Sequence, residues 1–176
     1  AVYIHFSPPL EKLVYHTNQK SNNLYCQSLL LTLGNGKAAE GILAIKNFCK
    51  ERGLNTDELL MSDGCGLSRA NLVSTSLLTR LLVKQAKDSV RYSQLKSSFP
   101  AAGKSGSMAN IGRGTFIENN MHAKTGYIQR ARAYSGYVTS RSGKQLAFSV
   151  ILNNYTCSAR EAKLKLEKFL VELGEL

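Results

Sequence analysis

The apolar residues of this chain change period once, and the change falls across the glycine-rich stretch "FPAAGKSGSMANIGRG" at residues 99–114. Before it, apolar positions recur at three- and four-residue intervals, the signature of helices packed by one face. After it they alternate, the signature of strands buried on one side. A chain that reads helix, then strand meander, then helix is expected to be an α+β fold.

The segment "AVYIHF" reads as a short strand broken by "SPPL", because proline disfavours continued regular structure. From Glu11 to about Gly34 the pattern is helical, with Leu24, Leu30, Leu31 and Leu33 supplying apolar faces and Gly34 placed as a terminator. Ile42, Ile45 and Cys49 mark a further helix that Gly53 closes. "MSDGCGLSRANLVS" is a tight polar loop in which Asp63 reads as a turn former. Ser68 then reads as the N-cap of a helix through Leu77, Leu81 and Leu82 to about Lys87. Loops as long as 99–114 are functional or disordered more often than incidental. Strands are expected near 122–129, 133–141 and 145–153, the last two joined by a hairpin turn at "SRSGKQ" with Gly143 as its permissive residue. Ser158 and Glu161 have capping-box spacing and open a final helix. Ala162, Leu166, Phe169, Leu170 and Leu173 line its sheet-facing side.

At 176 residues the chain is long enough for one domain with its own core, and 1–176 reads as one domain without internal repeats. No apolar run approaches the roughly 20 residues of a membrane-spanning helix, and none reads as a signal peptide. The start at Ala1 agrees with a leader or larger upstream piece having been removed. A net charge of +11 favours anionic partners. Basic and aromatic residues do not interleave as they do in nucleic-acid modules, so nucleic acid is not the expected partner. Cys26, Cys49, Cys65 and Cys157 form no C-x-x-C, and no histidine stands at zinc-ligand spacing, so neither a metal nor a cofactor is expected. Cys26 and Cys49 read as buried free thiols, while the even cysteine count leaves disulfides open. His122 reads as structural, and His5 and His16 join no constellation.

Two short motifs carry chemistry. In "HAKTGYIQ", a strand would place Lys124 and Gly126 on one face and Thr125 on the other. The lysine supplies a charge, Thr125 a hydroxyl, and Gly126 room for an approaching backbone, which together suit the carboxylate of an extended peptide. In "KSNNLYC", Ser21 and Asn23 form S-x-N, where Ser21 alone would read as a helix N-cap. S-x-N followed by K-T-G belongs to the set S-x-x-K, S-x-N, K-T-G shared by penicillin-binding proteins and serine β-lactamases.

The blocks "HTNQKSNNLYCQSLLLTLG", "MSDGCGLSRANLVS", "FPAAGKSGSM", "AKTGYI" and "AYSGYVTSRSGKQLAFSVILNN", in that order, resemble the D-Ala-D-Ala carboxypeptidase family of class C penicillin-binding proteins. The likeness runs from "SPPL" to the final helix. It implies a β-lactamase/penicillin-binding-protein transpeptidase-like fold. It also implies serine acyl-transfer chemistry in the cell envelope, periplasmic or extracytoplasmic, on peptidoglycan stem peptides, with β-lactams acylating the same serine. Endopeptidase activity on cross-links is implied as a second possibility. By motif, Ser21 would relay protons, Asn23 would hold the substrate backbone, and Lys124 would keep Ser21 suitably protonated. Lys124 with Thr125 would attract the substrate carboxylate. Gly126 would leave the substrate room, and the N–H of Tyr127 would be an oxyanion donor, worth about 3 kcal/mol.

The family's nucleophile lies in S-x-x-K upstream of S-x-N, and no such motif stands among the twenty residues before Ser21. Ser93-Gln94-Leu95-Lys96 has the spacing but the wrong place in the order, and reads as polar surface. The resemblance therefore implies the C-terminal part of the fold, with the N-terminal portion missing. Such a chain is expected to be unable to form an acyl-enzyme alone and to self-associate through an uncovered sheet edge. Cys65 replaces a serine usual in the family, without a nearby histidine to activate it. The competing readings are a non-catalytic fragment that holds D-Ala peptides or β-lactams, and a basic nucleic-acid module with steeply salt-dependent binding.

Overall fold

A computed structural model describes residues 2–176. In chain order it contains α1 (Leu10–Lys20), α2 (Asn23–Leu33), α3 (Ala38–Glu51), β1 (Leu59–Leu60), β2 (Leu72–Val73), α4 (Thr75–Gln85), α5 (Ser89–Ser98), a 3-10 turn at Gly106–Met108, β3 (Met121–Ile128), β4 (Ala131–Thr139), β5 (Gln145–Asn153) and α6 (Ala159–Glu175). The α+β expectation holds. β3, β4 and β5 form an antiparallel sheet in that order, and β1 pairs with β2 as a separate ribbon.

The sheet has two covered faces. Ala123, Gly136 and Phe148 share one cross-strand row, and Met121, Val138 and Leu146 the next. This face packs on Leu166 and Leu170 of α6 and on Ala102, Met108, Ile111 and Ile117 of the 99–120 connection. Each such fully buried large side chain contributes about 1.5–3 kcal/mol. The glycine-rich connection is therefore part of the core, not a mobile loop: its scattered apolar residues have no period because they enter the core singly. On the opposite face Tyr137 meets Leu82 of α4 and Phe99.

Several sequence expectations shift. Val2–Phe6 forms no strand: the segment has no ladder partner among the described residues, and its side chains lie in solvent. The helix read from Glu11 to Gly34 is two helices. Ser21 caps the end of α1 in the left-handed region (φ 52°), and Asn22 opens α2 by accepting the Tyr25 N–H at 3.1 Å. Of the leucines assigned there, Leu30 is buried but Leu24 and Leu33 are exposed. Ser74, not Ser68, caps α4, accepting the Leu77 N–H at 2.9 Å. Ser68 is held in the preceding loop, its N–H donating to the Asp63 carboxylate at 2.7 Å. α5 takes in the Ser93–Lys96 stretch read as polar surface and is opened by Asp88, whose carboxylate accepts the Val90 and Arg91 N–H groups.

The β-region matches closely. β5 has the expected bounds, β3 starts one residue early and β4 two, and Gly143 occupies its turn at φ 80°. Ser158 accepts the Glu161 N–H at 3.1 Å. On α6, Ala162, Leu166 and Leu170 are buried and Leu173 packs against them, whereas Phe169 lies on the flank and is exposed. All four cysteines are free; Cys49 is buried as expected, but Cys26 is only half-buried.

Candidate functional site

The junction of α1 and α2 meets β3 at its outer edge. Lys124 Nζ donates to Ser21 Oγ at 2.8 Å and to the Thr125 carbonyl at 2.8 Å, joining residues 103 positions apart. The left-handed cap at Ser21 turns the chain at this point. Behind it, the glycine-rich connection docks on the end of α1: a Cβ at Gly106 would lie 2.7 Å from the Gln19 carbonyl, so this approach requires glycine. The next residue, Ser107, accepts from Thr125 Oγ1 at 2.8 Å. Ser98 ties α5 to the same helix, accepting from Asn18 Nδ2 at 2.8 Å through its hydroxyl and from Gln19 Nε2 at 3.1 Å through its carbonyl.

The backbone of β3 is covered along only half its outer edge. Ala102 N–H donates to the Met121 carbonyl at 2.9 Å and Ala123 N–H to the Pro100 carbonyl at 3.0 Å. The groups of Met121 and Ala123 thus point off the sheet, and strand alternation aims those of Thr125 and Tyr127 the same way. The bond from Lys124 to the Thr125 carbonyl agrees with this. Beyond Ala123 the cover ends, which leaves the Tyr127 N–H on open edge. Gly126 is exposed, and a Cβ built on it would meet only Ala133 Cβ, at 3.5 Å. The space expected over Gly126 is present.

Two cavities of about 450 Å³ each adjoin Gly126. One lies between the sheet and α4–α5, lined by Leu78, Leu82, Phe99, Lys124, Thr125 and Ser135. The other continues past the tripeptide, lined by Arg69, Asn71, Tyr127, Gln129, Arg130 and Arg132 among others. Arg69 Nη2 donates to Gln129 Oε1 at 3.3 Å across this second cavity.

The electrostatics are one-sided. Burial holds the Lys124 ammonium below its usual pKa, with the Cys26 sulfur pulling slightly the other way. Among the described residues no carboxylate forms an ion pair with Lys124. A half-buried cation with only neutral partners, beside further arginines, suits an anion that arrives from outside. His122, on the same face, is pushed down by burial and then by Lys96, against a hydrogen bond with the Phe99 backbone. Asp63 is the turn former expected, its carboxylate accepting the Gly66 and Ser68 N–H groups at 2.6 and 2.7 Å. Burial pushes its carboxyl up, but donors from the Ser68 N–H, the Asn71 amide and the Gly66 N–H together outweigh this and hold it below its usual value.

Of the residues singled out in sequence, Ser21, Lys124, Thr125, Gly126 and Tyr127 meet in one place. Asn23 lies on the exposed first turn of α2, two residues from Ser21, and its side chain makes no hydrogen bond. Ser93 is exposed on α5, and Lys96 three residues on lies over the Tyr92 ring at 5.7 Å, not against a serine hydroxyl. Sequence reasoning missed Ser107, Cys26 and the Arg69–Gln129 bridge. Ser107 stands in a block already singled out, "FPAAGKSGSM", but nothing local marks which of its serines faces Thr125. Among the described residues, no group of three or more His, Cys, Asp or Glu side chains is placed to hold a metal ion.

Residues 1–173 match the family described as D-Ala-D-Ala carboxypeptidase 3 (S13). The chain belongs to this family. It is 30% identical over 171 residues to the D-alanyl-D-alanine carboxypeptidase DacB of Haemophilus influenzae, covering 92% of this chain and 35% of that protein. It is 33% identical over 162 residues to a D-alanyl-D-alanine carboxypeptidase of Actinomadura sp., covering 86% of this chain and 30% of the relative. The crystal structure of penicillin-binding protein 4 (dacB) from H. influenzae superposes with a TM-score of 0.85 at 28% identity, over 98% of this chain and 41% of that one. The chain thus has the penicillin-binding-protein fold and spans about a third of the length of the curated relatives it matches.

Proposed function

We propose that this chain supplies one wall of a serine-type D-Ala-D-Ala carboxypeptidase site that takes peptidoglycan stem peptides, in the bacterial cell envelope. The observation that carries this reading is the 2.8 Å contact between Lys124 Nζ and Ser21 Oγ, which joins the S-x-N and K-T-G motifs. Lys124 and Thr125 receive the C-terminal carboxylate, for which the half-buried ammonium has no internal counter-ion. Ser21, held as acceptor by that ammonium, is the proton relay. Asn23 holds the substrate backbone from the α2 side. An extended peptide lies along the uncovered half of β3, where Gly126 leaves room and Tyr127 offers its N–H to the developing oxyanion.

No S-x-x-K stands upstream of Ser21 in this chain, so the chain on its own binds without turnover and forms no acyl-enzyme with β-lactams. Incubation with a labelled penicillin followed by intact-mass measurement tests this, with no adduct expected. A stoichiometric adduct on Ser93 would overturn the motif assignment.

Self-association of the chain is part of the same proposal. β5 carries nine residues without a charge, and its outer edge has no strand beside it among the described residues. An uncharged, unbulged edge templates pairing with a second copy. Sedimentation across a hundredfold concentration range should show a concentration-dependent dimer. A monomer throughout removes the claim.

A further inference from the structure

We infer that Cys26 and Cys65 form an oxidisable thiol pair, a modification site for small-molecule disulfides beside the Ser21–Lys124 contact. The two cysteines lie on segments held together by backbone contact. Gly64 N–H donates to Gln27 Oε1 at 2.9 Å. A Cβ on Gly64 would lie 2.7 Å from the Cys26 carbonyl oxygen and 2.9 Å from Leu30 Cβ, so the loop at 64 rests on α2 at Cys26 itself. Cys65 is the next residue. Both thiols are free and partly exposed, whereas Cys49 is buried on α3 and Cys157 lies just before α6. Cys26 feels the charge of Lys124 and of Cys65, beside the larger effect of its burial.

The reaction is thiol–disulfide exchange in two balanced steps. The Cys65 thiolate attacks one sulfur of a small disulfide, the S–S bond breaks, and one thiolate leaves. The Cys26 thiolate then attacks the Cys65 sulfur of this mixed disulfide, closes the Cys26–Cys65 bond and expels the second thiolate. The small disulfide is reduced to two thiols, which take up the two protons from the cysteines. Burial pushes the Cys26 thiol above its usual pKa, so the second step speeds up in base. The closed bond would tie the start of α2, which carries Asn23, to the loop whose Gly66, Ser68 and Arg69 line the cavity past Gly126. The thiol pair stands whether or not the cleft takes a D-Ala peptide.

The test uses the intact chain, reduced and then held with excess oxidised glutathione. The expected product is a monomer lighter by about 2 Da, with two of the four thiols no longer alkylated and a Cys26–Cys65 cross-link in the non-reducing peptide map. Cys26→Ser and Cys65→Ser should each stop at the mixed disulfide, while Cys157→Ser should close as the parent does. Four free thiols, a lasting mixed disulfide in the parent, or a cross-link through Cys157 would each overturn the inference. The map on the parent chain gives the answer even if a variant folds poorly.

Discussion

Replacing Lys124 by methionine isolates what its ammonium does. The substitution keeps the length of the stem and removes two hydrogen bonds, to Ser21 Oγ and to the Thr125 carbonyl. Bonds to a charged group contribute about 1.5–3 kcal/mol each, so their loss costs about 3–6 kcal/mol. The same change removes a half-buried cation without a carboxylate partner, which returns several kcal/mol of desolvation cost. The net effect on folding should lie within about 2 kcal/mol, or at most about 8 °C in Tm for a chain of this size. The pH dependence is more diagnostic. The folded-state pKa of Lys124 is lowered, so between that value and the ordinary 10.5 the unfolded chain binds more protons. Stability conferred by this group therefore rises with pH through that window. Urea unfolding at pH 8 and pH 10 should show the parent gaining on Lys124→Met as pH increases. Comparing the two proteins cancels the ionisation of Tyr137, whose pKa burial pushes up to about 12. A flat or falling difference would refute the buried-cation argument, and a Tm loss above about 12 °C would make Lys124 a structural anchor rather than a group awaiting an anion.

Gly126→Ala should fold with unchanged Tm, since the added methyl meets only Ala133 Cβ at 3.5 Å. It should nevertheless weaken binding of a D-Ala-D-Ala peptide at least about tenfold, measured by calorimetry, because the methyl occupies the approach over β3. Mild acid should destabilise the chain through His122. Its folded pKa is lowered below 6.5, chiefly by burial, so stability present above 6.5 is lost as pH falls through that range toward the folded value. His122→Gln should lose part of this acid sensitivity in melts between pH 7 and pH 5.

The strands were legible because their signal is local. In 145–153 alternation and the Gly143 turn fix register with no help from distant residues, and β5 has the bounds read from them. The helical half was less legible because its breaks are tertiary. The leucines of 24–33 continue the period of the preceding helix, so nothing local separates α1 from α2; the break at Ser21 accompanies docking of the 99–120 connection against Gln19. Ser68 and Ser74 are both good N-caps by composition. Asp63 and Asn71 bind up the 62–68 loop, and the β1–β2 ribbon runs to Val73, so the helix starts at Ser74. α5 has little apolar face to read. Of the site, K-T-G and S-x-N were legible as ordered motifs, but their contact, the orientation of Tyr127 and the part played by Ser107 depend on packing.

The central claim is that the Ser21–Lys124 contact and the open edge of β3 receive a peptide ending in D-Ala. Amide and lysine side-chain NMR of the isotopically labelled chain, titrated with an N-acetylated peptide ending in D-Ala-D-Ala, tests it directly. Saturable shifts should appear at Ser21, Asn23, Lys124 Nζ and the amides of Thr125–Tyr127, and the L-Ala-L-Ala peptide should produce none of comparable size. Equal shifts with both peptides, or shifts spread over the basic surface with residues 124–127 unmoved, would contradict the account.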